Sequence, residues 1–330
     1  MPTMRVLASI LRAKIRLQAT RIAALCFAIC MAVTAAAAAL QLPRSIAVLY
    51  PDIGEPYRSV FAKIIEGIED QTRSSVLSYA VGANPNQLEI ASELRRQDVR
   101  VVIALGRNGL KVASCLERDI GVVAGGVLSV PEAEARNISV FSLAPDPALL
   151  FARLHSLMPA AKRVFVVYDP NQNAWLIRLA KEAASARGLD LIAYEAKDLK
   201  TALPYYQDIF AKADAKTDAL WLPQDSTTVD ETSVLPLVLQ EAWAHNLALF
   251  SSSIAHVKRG ALFSLYPDNR EIGRSLANAA QSYLSSSAPV PRGMMALKTV
   301  LVAVNVRTAS HLGIDVTGRQ QRPDMIFPEQ

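Results

Sequence analysis

The sequence predicts an α/β protein of two hinged lobes, each a parallel sheet flanked by helices. Two observations lead there. Short apolar runs beginning near residues 45, 75, 99 and 121 alternate with helical patterns, which is the spacing of repeated βα units. A second series begins near 163, 189, 218 and 247, so the architecture is repeated although the sequence is not. The result is two Rossmann-like lobes of similar size.

The clearest unit is Val99–Cys115, VRVVIALGRNGLKVASC. Its β-branched, nearly unbroken apolar start suits a strand buried on both faces. It stops at Gly106-Arg107-Asn108-Gly109 and passes into a helix with Leu110, Ala113 and Leu116 on one side. A strand, a glycine turn and a helix aim the free N–H groups of the helix N-terminus beyond the strand's carboxyl end. Small ligands sit at that edge in open α/β sheets. The alternative is a turn that only connects two packed elements.

The other elements follow in order. Ser45–Pro51 is the first strand, and Pro56 suits the first turn of a helix. Tyr57, Val60, Phe61, Ile64, Ile65 and Ile68 then form one apolar stripe at helical spacing. Val76–Val81, Val122–Leu128 and Asn137–Leu143 complete the first series of strands, with a helix carrying Leu88, Ala91 and Leu94 after the first of these. Asp146-Pro147 caps a helix that Pro159 ends. Arg163–Tyr168, Leu189–Tyr194, Ala219–Pro223 and Leu247–Ser251 are the second series. Between them lie a helix from Asn173 to Arg187, one interrupted by Pro204, and one opened by the capping box Thr228-Val229-Asp230-Glu231. Asp268–Glu271 caps a helix whose buried stripe is Ile272, Leu276, Ala279 and Tyr283; Ser285–Pro291 is a loop, Thr299–Val304 the last strand, and the segment after Val316 peripheral.

Charge and cysteine usage bound the function. Of the 330 residues, 51% are apolar, ample for a core. Met1–Ala39 carries Arg5, Arg12, Lys14, Arg16 and Arg21 and no acid, which accounts for the whole excess of 35 basic over 30 acidic residues. The remainder is neutral and gives no basic surface for nucleic acid. The basic stretch to Arg21, the apolar run Ile22–Val33 and the alanines 35–39 have the order of a cleaved export signal. An uncleaved anchor is the alternative, since the run approaches the ~20 residues that span a bilayer. Export implies a periplasmic protein that meets the membrane only through this signal or a partner. Cys26 and Cys30 lie within the signal, and neither follows the small residue of a lipoprotein site. Cys115, the one mature cysteine, is expected as a buried core thiol, without disulfide, zinc or redox chemistry.

Enzyme chemistry finds no support. Gly106-x-x-Gly109 is not a dinucleotide fingerprint, and the sequence has no P-loop and no Gly-x-Ser-x-Gly elbow. His155, His245, His256 and His311 lack metal-ligand spacing. No catalytic residue, cofactor or metal is expected.

Five segments carry a family resemblance: VVIALGRNGLKVA (101–113), PAAKRVFVVYDP (159–170), DALWLPQD (218–225), GALFSLYPDNREIG (260–273) and VNVRTASHLG (304–313). From Leu40 to about Asp315 the chain resembles the substrate-binding proteins of ABC importers in the tryptophan/tyrosine-transporter-like group, with the type I periplasmic-binding fold. The resemblance implies three crossings between lobes: 1–39 as signal, 40–144 plus 255–288 as lobe one, and 145–254 plus 289–330 as lobe two. It also implies a small organic ligand held between the lobes and an ABC permease as partner. A receptor or histidine-kinase ectodomain that reads the closed form is the alternative partner. The sequence departs from the family at Arg107-Asn108, where a Thr or Ser is usual, and at Arg136–Val140, where an Asn-x-Thr-Gly stretch is usual.

The candidate ligand contacts follow from position. Arg107 stands at a helix N-terminus that favours anions, and its planar fork suits a carboxylate; the alternative is a surface ion pair. Gly106 belongs to the same turn, and Asn108 adds a hydrogen bond. Asp225, with Ser226, either receives a ligand ammonium or caps the next helix. Asp52 and Tyr57 lie at the first strand's carboxyl edge, Tyr57 with a core alternative. Gly126 lets a ligand approach the backbone or only relieves crowding. Asn173 contacts ligand or caps its helix. A small carboxylate, an amino acid among them, bridging Arg107 and Asp225 would favour the closed state.

Overall fold

A computed structural model describes residues 45–285, 291–316 and 322–328. Residues 1–39, expected from the sequence as an export signal, lie outside the described residues. The first lobe begins with β1 (Ile46–Pro51), α1 (Tyr57–Thr72), β2 (Leu77–Val81), α2 (Gln87–Arg96), β3 (Val101–Leu105), α3 (Gly106–Ala113), β4 (Gly121–Val127), α4 (Glu132–Ala135) and β5 (Ser139–Pro145). The chain continues through α5 (Pro147–Leu157), β6 (Arg163–Tyr168), α6 (Pro170–Ser185), β7 (Asp190–Glu195), α7 (Leu199–Lys212) and β8 (Asp218–Leu222). Next come α8 (Val234–Ala244), β9 (Ala248–Ser251), α9 (Ile254–Arg259), β10 (Phe263–Pro267) and α10 (Asn269–Ser285). It ends with β11 (Gly293–Leu297), β12 (Val300–Asn305), α11 (Val306–His311) and β13 (Met325–Phe327).

Two sheets result. One is six-stranded, in the order β11-β5-β4-β3-β1-β2, and parallel throughout. The other is seven-stranded, in the order β13-β12-β10-β9-β8-β6-β7, with only the β10–β12 pair antiparallel. The central strands show why continuous apolar runs were needed. Along β3, Val101, Ile103 and Leu105 enter the core under α1 and α10, while Val102 and Ala104 enter the core on the opposite face. Along β8, Ala219 and Trp221 enter one core and Leu220 and Leu222 the other. Helices cover both faces, so alternation would leave polar side chains buried.

The chain passes between the lobes three times: from β5 to α5, whose Leu150, Phe151 and Leu154 join the second lobe's core; from β10 to α10, whose Ile272 and Leu276 join the first; and from β11 to β12. The boundaries differ from those expected. Residues 255–267 were assigned to lobe one, but β10 pairs with β9 and β12 in the seven-stranded sheet. Residues 289–297 were assigned to lobe two, but β11 pairs with β5 in the six-stranded sheet.

Two local expectations are also corrected. Helix α3 ends at Ala113, so Cys115 lies in the following turn, exposed, with its thiol donating to Gln87 Oε1 at 3.0 Å. The capping box at Thr228 does not open a helix, because α8 starts at Val234. Asp230 instead accepts the N–H of Ser233 at 2.7 Å in the turn before it, and hydrogen bonds from Ser233 and Thr232 hold its carboxyl well below the usual range.

Candidate functional site

In the first lobe, the carboxyl ends of β1, β3 and β4 come together on two glycines. Gly106 has φ +65° and Gly126 φ +68°, a left-handed backbone that glycine adopts without strain. A Cβ on Gly126 would stand 3.0 Å from the Phe61 ring and 3.3 Å from Gly106 N; one on Gly106 would stand 2.9 Å from Pro51. The β4–β5 register shifts between Gly125 and Val127, so Gly126 occupies a bulge. At both positions a side chain would crowd its neighbours. The α3 N-terminus that starts at Gly106 has no side-chain cap, which leaves its first N–H groups directed past the strand end.

The side chains predicted here sit on that edge. Arg107 is exposed and forms no ion pair among the described residues. Asn108 Nδ2 donates to the Val81 carbonyl at 3.2 Å, and the Asp52 N–H donates to the same oxygen at 2.9 Å. Asn108 is thus tied to the end of β2. Asp52 is exposed, and Tyr57 is 63% exposed in the first turn of α1, against the core alternative.

The second lobe's edge is a closed hydrogen-bond network. Asp225, after β8, is 4% exposed. Its Oδ1 accepts the N–H groups of Thr227 at 3.0 Å and Thr228 at 2.9 Å. Its Oδ2 accepts the Asp169 N–H at 2.7 Å and Asn173 Nδ2 at 2.9 Å. A carboxylate has about four lone-pair sites, and all four are filled by the chain. These bonds brace the turn after β8 against the start of α6 and cap no helix, since α8 begins only at Val234; Asn173, also buried, is a partner in them. Nearby, Tyr206 donates to the Thr228 carbonyl at 3.2 Å, and burial and then the charge of Asp225 push its phenol above the ordinary range.

Residues not expected at the site complete the network. Asp169 caps α6 by accepting the Asn171 N–H at 2.9 Å, and its other oxygen accepts Thr227 Oγ1 at 2.9 Å. Gln172 Nε2 donates to Thr227 Oγ1 at 2.8 Å, while its Oε1 accepts the exposed Ser226 hydroxyl at 3.2 Å. The signal was present in the Asp-Pro pair at 169–170, which marks an N-cap followed by proline at N1. The six first-lobe candidates thus form one cluster; Asn173, Asp225 and Ser226 form another.

A cavity of 520 Å³ lies between α4 and β11 of the first lobe and α6 of the second. Arg136, Arg292 and Glu132 line one side, and Trp175, Arg178 and Glu182 the other. Arg107 and Asp225 are not among its lining residues. Arg178 Nη2 and Glu132 Oε1 are 3.9 Å apart across the lobes, an exposed pair of small energetic weight. The indole N–H of Trp175 is inaccessible to solvent and meets no acceptor among the described residues. An unpaired buried donor costs about 1–3 kcal/mol. Beside it lies a second cavity of 420 Å³, lined by Phe141, Ile272, Met295 and others, with Leu179 and Met294 common to both.

Among the described residues no helix is long and apolar enough to cross a membrane. No curated protein matches the chain. Solved structures do. A substrate binding protein with adhesive properties from Clostridium difficile, in a ligand-free open structure, aligns over 84% of this chain and 98% of its own, with TM-score 0.60 and 16% identity. An ABC domain from Streptococcus pneumonia in complex with L-Trp aligns over 86% and 99%, with TM-score 0.54 and 16% identity. A conserved domain protein from Vibrio cholerae aligns over 86% and 99%, with TM-score 0.52 and 18% identity. These likenesses concern the fold, the type I periplasmic-binding arrangement of two α/β lobes. Residues 66–320 match the family described as ABC transporter substrate binding protein. The chain belongs to that family, whose members bind a substrate and do not transform it.

Proposed function

We propose that this protein is exported to the periplasm, captures a small organic ligand between its lobes and delivers it to the permease of an ABC importer. The observation that carries the reading is the match of residues 66–320 to a substrate-binding family in a chain whose two sheets are joined by three crossings. Such a ligand shifts the lobes toward closure only through contacts in both of them.

The ligand is a small carboxylate, an amino acid among the candidates. Arg107 supplies the charge at the uncapped N-terminus of α3, where a carboxylate also meets backbone N–H groups. Asp52, Tyr57 and the glycine pair Gly106 and Gly126 shape that edge. On the second lobe, Asp225 and Asn173 act by holding the loop that presents Ser226. Titration calorimetry with a panel of amino acids and other carboxylates tests this. Arg107→Ala weakens the ligand about tenfold or more. Unchanged affinity in Arg107→Ala and in Asp225→Ala for a confirmed ligand overturns the assignment.

A further inference from the structure

We infer that the 420 Å³ cavity beside α10 and β11 binds a neutral small molecule with an apolar body and one hydrogen-bonding group. Phe141, Ile272, Met295 and Leu297 form its apolar wall, and all four belong to the first lobe. Neither Arg107 nor Ser226 lines it, so it is separate from the strand ends proposed for the captured ligand. Two features of β11 make the room. It is an edge strand, and its register against β5 shifts between Met295 and Leu297, which bends the chain aside at Ala296. Its methionines are unbranched and adaptable, which suits a wall that follows the shape of an occupant.

The polar groups of the wall decide the occupant's charge. Asp146 and Lys298 both line the cavity and offset each other. Asp146 is engaged, accepting the Ala148 N–H at 2.8 Å as the cap of α5, and Lys298 is exposed and keeps its water. A charged occupant would give up hydration against an apolar wall with no partner fixed to receive it. The Ser142 hydroxyl is also engaged, donating to the Leu128 carbonyl at 2.6 Å and accepting the Ala144 N–H at 2.9 Å. Ser275 differs. It is half-buried on α10, and its hydroxyl forms no hydrogen bond among the described residues. It is therefore free to pair with an alcohol or carbonyl on the occupant. The cavity also touches two of the three crossings, at Asp146 and at Leu297–Thr299, and the Asp146 N–H donates to the Leu297 carbonyl at 2.9 Å. An occupant steadies that bond and so bears on the angle between the lobes.

The test is NMR on the full chain with isotope-labelled methionine methyl groups, titrated with benzyl alcohol and cyclohexanol and, as charged counterparts, with benzoate and benzylammonium. The resonances of Met294 and Met295, assigned through Met294→Leu and Met295→Leu, should shift with at least one alcohol and less with its charged counterparts. Ser275→Phe, which fills the cavity, should weaken the alcohol about tenfold or more, and the gentler Ser275→Ala several-fold. Exchange of the Asp146 amide should slow when the alcohol is bound. No shift at either methionine, charged counterparts that act equally, or a midpoint indifferent to both Ser275 variants overturns the site. Exchange at Asp146 that a saturating alcohol leaves unaltered overturns its bearing on the crossings. Arg107→Gln should leave the alcohol's midpoint unchanged; if it abolishes the response, the alcohol sits at α3, and this site falls while the capture reading stands.

Discussion

The two lobes share a βα topology but finish the carboxyl ends of their strands with different materials. In the first lobe the edge is backbone: two left-handed glycines, an uncapped helix start and an exposed arginine with no ion pair among the described residues. In the second lobe the edge is side chain, with Asp225 joining the loop after β8 to the start of α6 through four accepted hydrogen bonds. The difference separates stability from recognition. Changes at the second edge should be felt by the fold first and by the ligand through it. Changes in charge at the first edge should be felt by the ligand alone.

The most severe challenge to that contrast is Asp225→Ala, which strands four donors around a buried position. Urea unfolding should show a loss of about 3–4 kcal/mol. A loss below about 1 kcal/mol would mean that the network does not hold the loop.

The second expected effect is on pH. Burial, and after it the charge of Arg259, pushes His256 down to about 4 from 6.5. Its Nδ1 lies 2.8 Å from the Ser251 hydroxyl at the end of β9. Below pH 6.5 the unfolded chain takes up a proton that the folded chain refuses until about pH 4. Stability contributed by neutral His256 is therefore present above pH 6.5 and lost as pH falls toward 4, by up to about 3 kcal/mol. His256→Asn should flatten the melting-temperature profile across that window, and an unaltered profile would contradict the assignment.

Gly126→Ala sharpens the account of the first edge. A Cβ at φ +68° and 3.0 Å from Phe61 should cost about 1–3 kcal/mol in thermal or urea unfolding. Phe61→Leu in the same chain should recover the packing part and leave the backbone part. The smallest structural effect belongs to Arg107→Gln, expected to change stability by less than about 0.5 kcal/mol while weakening the cleft ligand about tenfold. A comparable loss of stability would erase the distinction between the two edges.

The fold was legible wherever one strand had to satisfy two cores. Val101–Leu105 and Asp218–Leu222 are buried on both faces, and their unbroken apolar runs follow from that burial. Strand β11 escaped notice because GMMAL is an edge strand, partly buried, with unbranched methionines in place of β-branched residues. That omission also misplaced a lobe boundary. Cys115 was read as core because the helical spacing continues past Ala113 in the sequence, while the helix itself stops there. At the site, Arg107 and the glycine turn could be found because strand, turn and helix are contiguous. The Asp225–Asn173–Asp169–Gln172 network joins segments more than 50 residues apart, and no local pattern announces it. The same holds for Arg136, Trp175 and Arg292, which only the folded chain brings to one cavity.

Capture between closing lobes is read by small-angle scattering during titration with the carboxylate and amino-acid panel. A saturating ligand should reduce the radius of gyration, and Arg107→Gln should move the reduction to about tenfold higher ligand concentration. A ligand that saturates the protein with no change in radius, and with the same midpoint in Arg107→Gln, would contradict capture between two closing lobes.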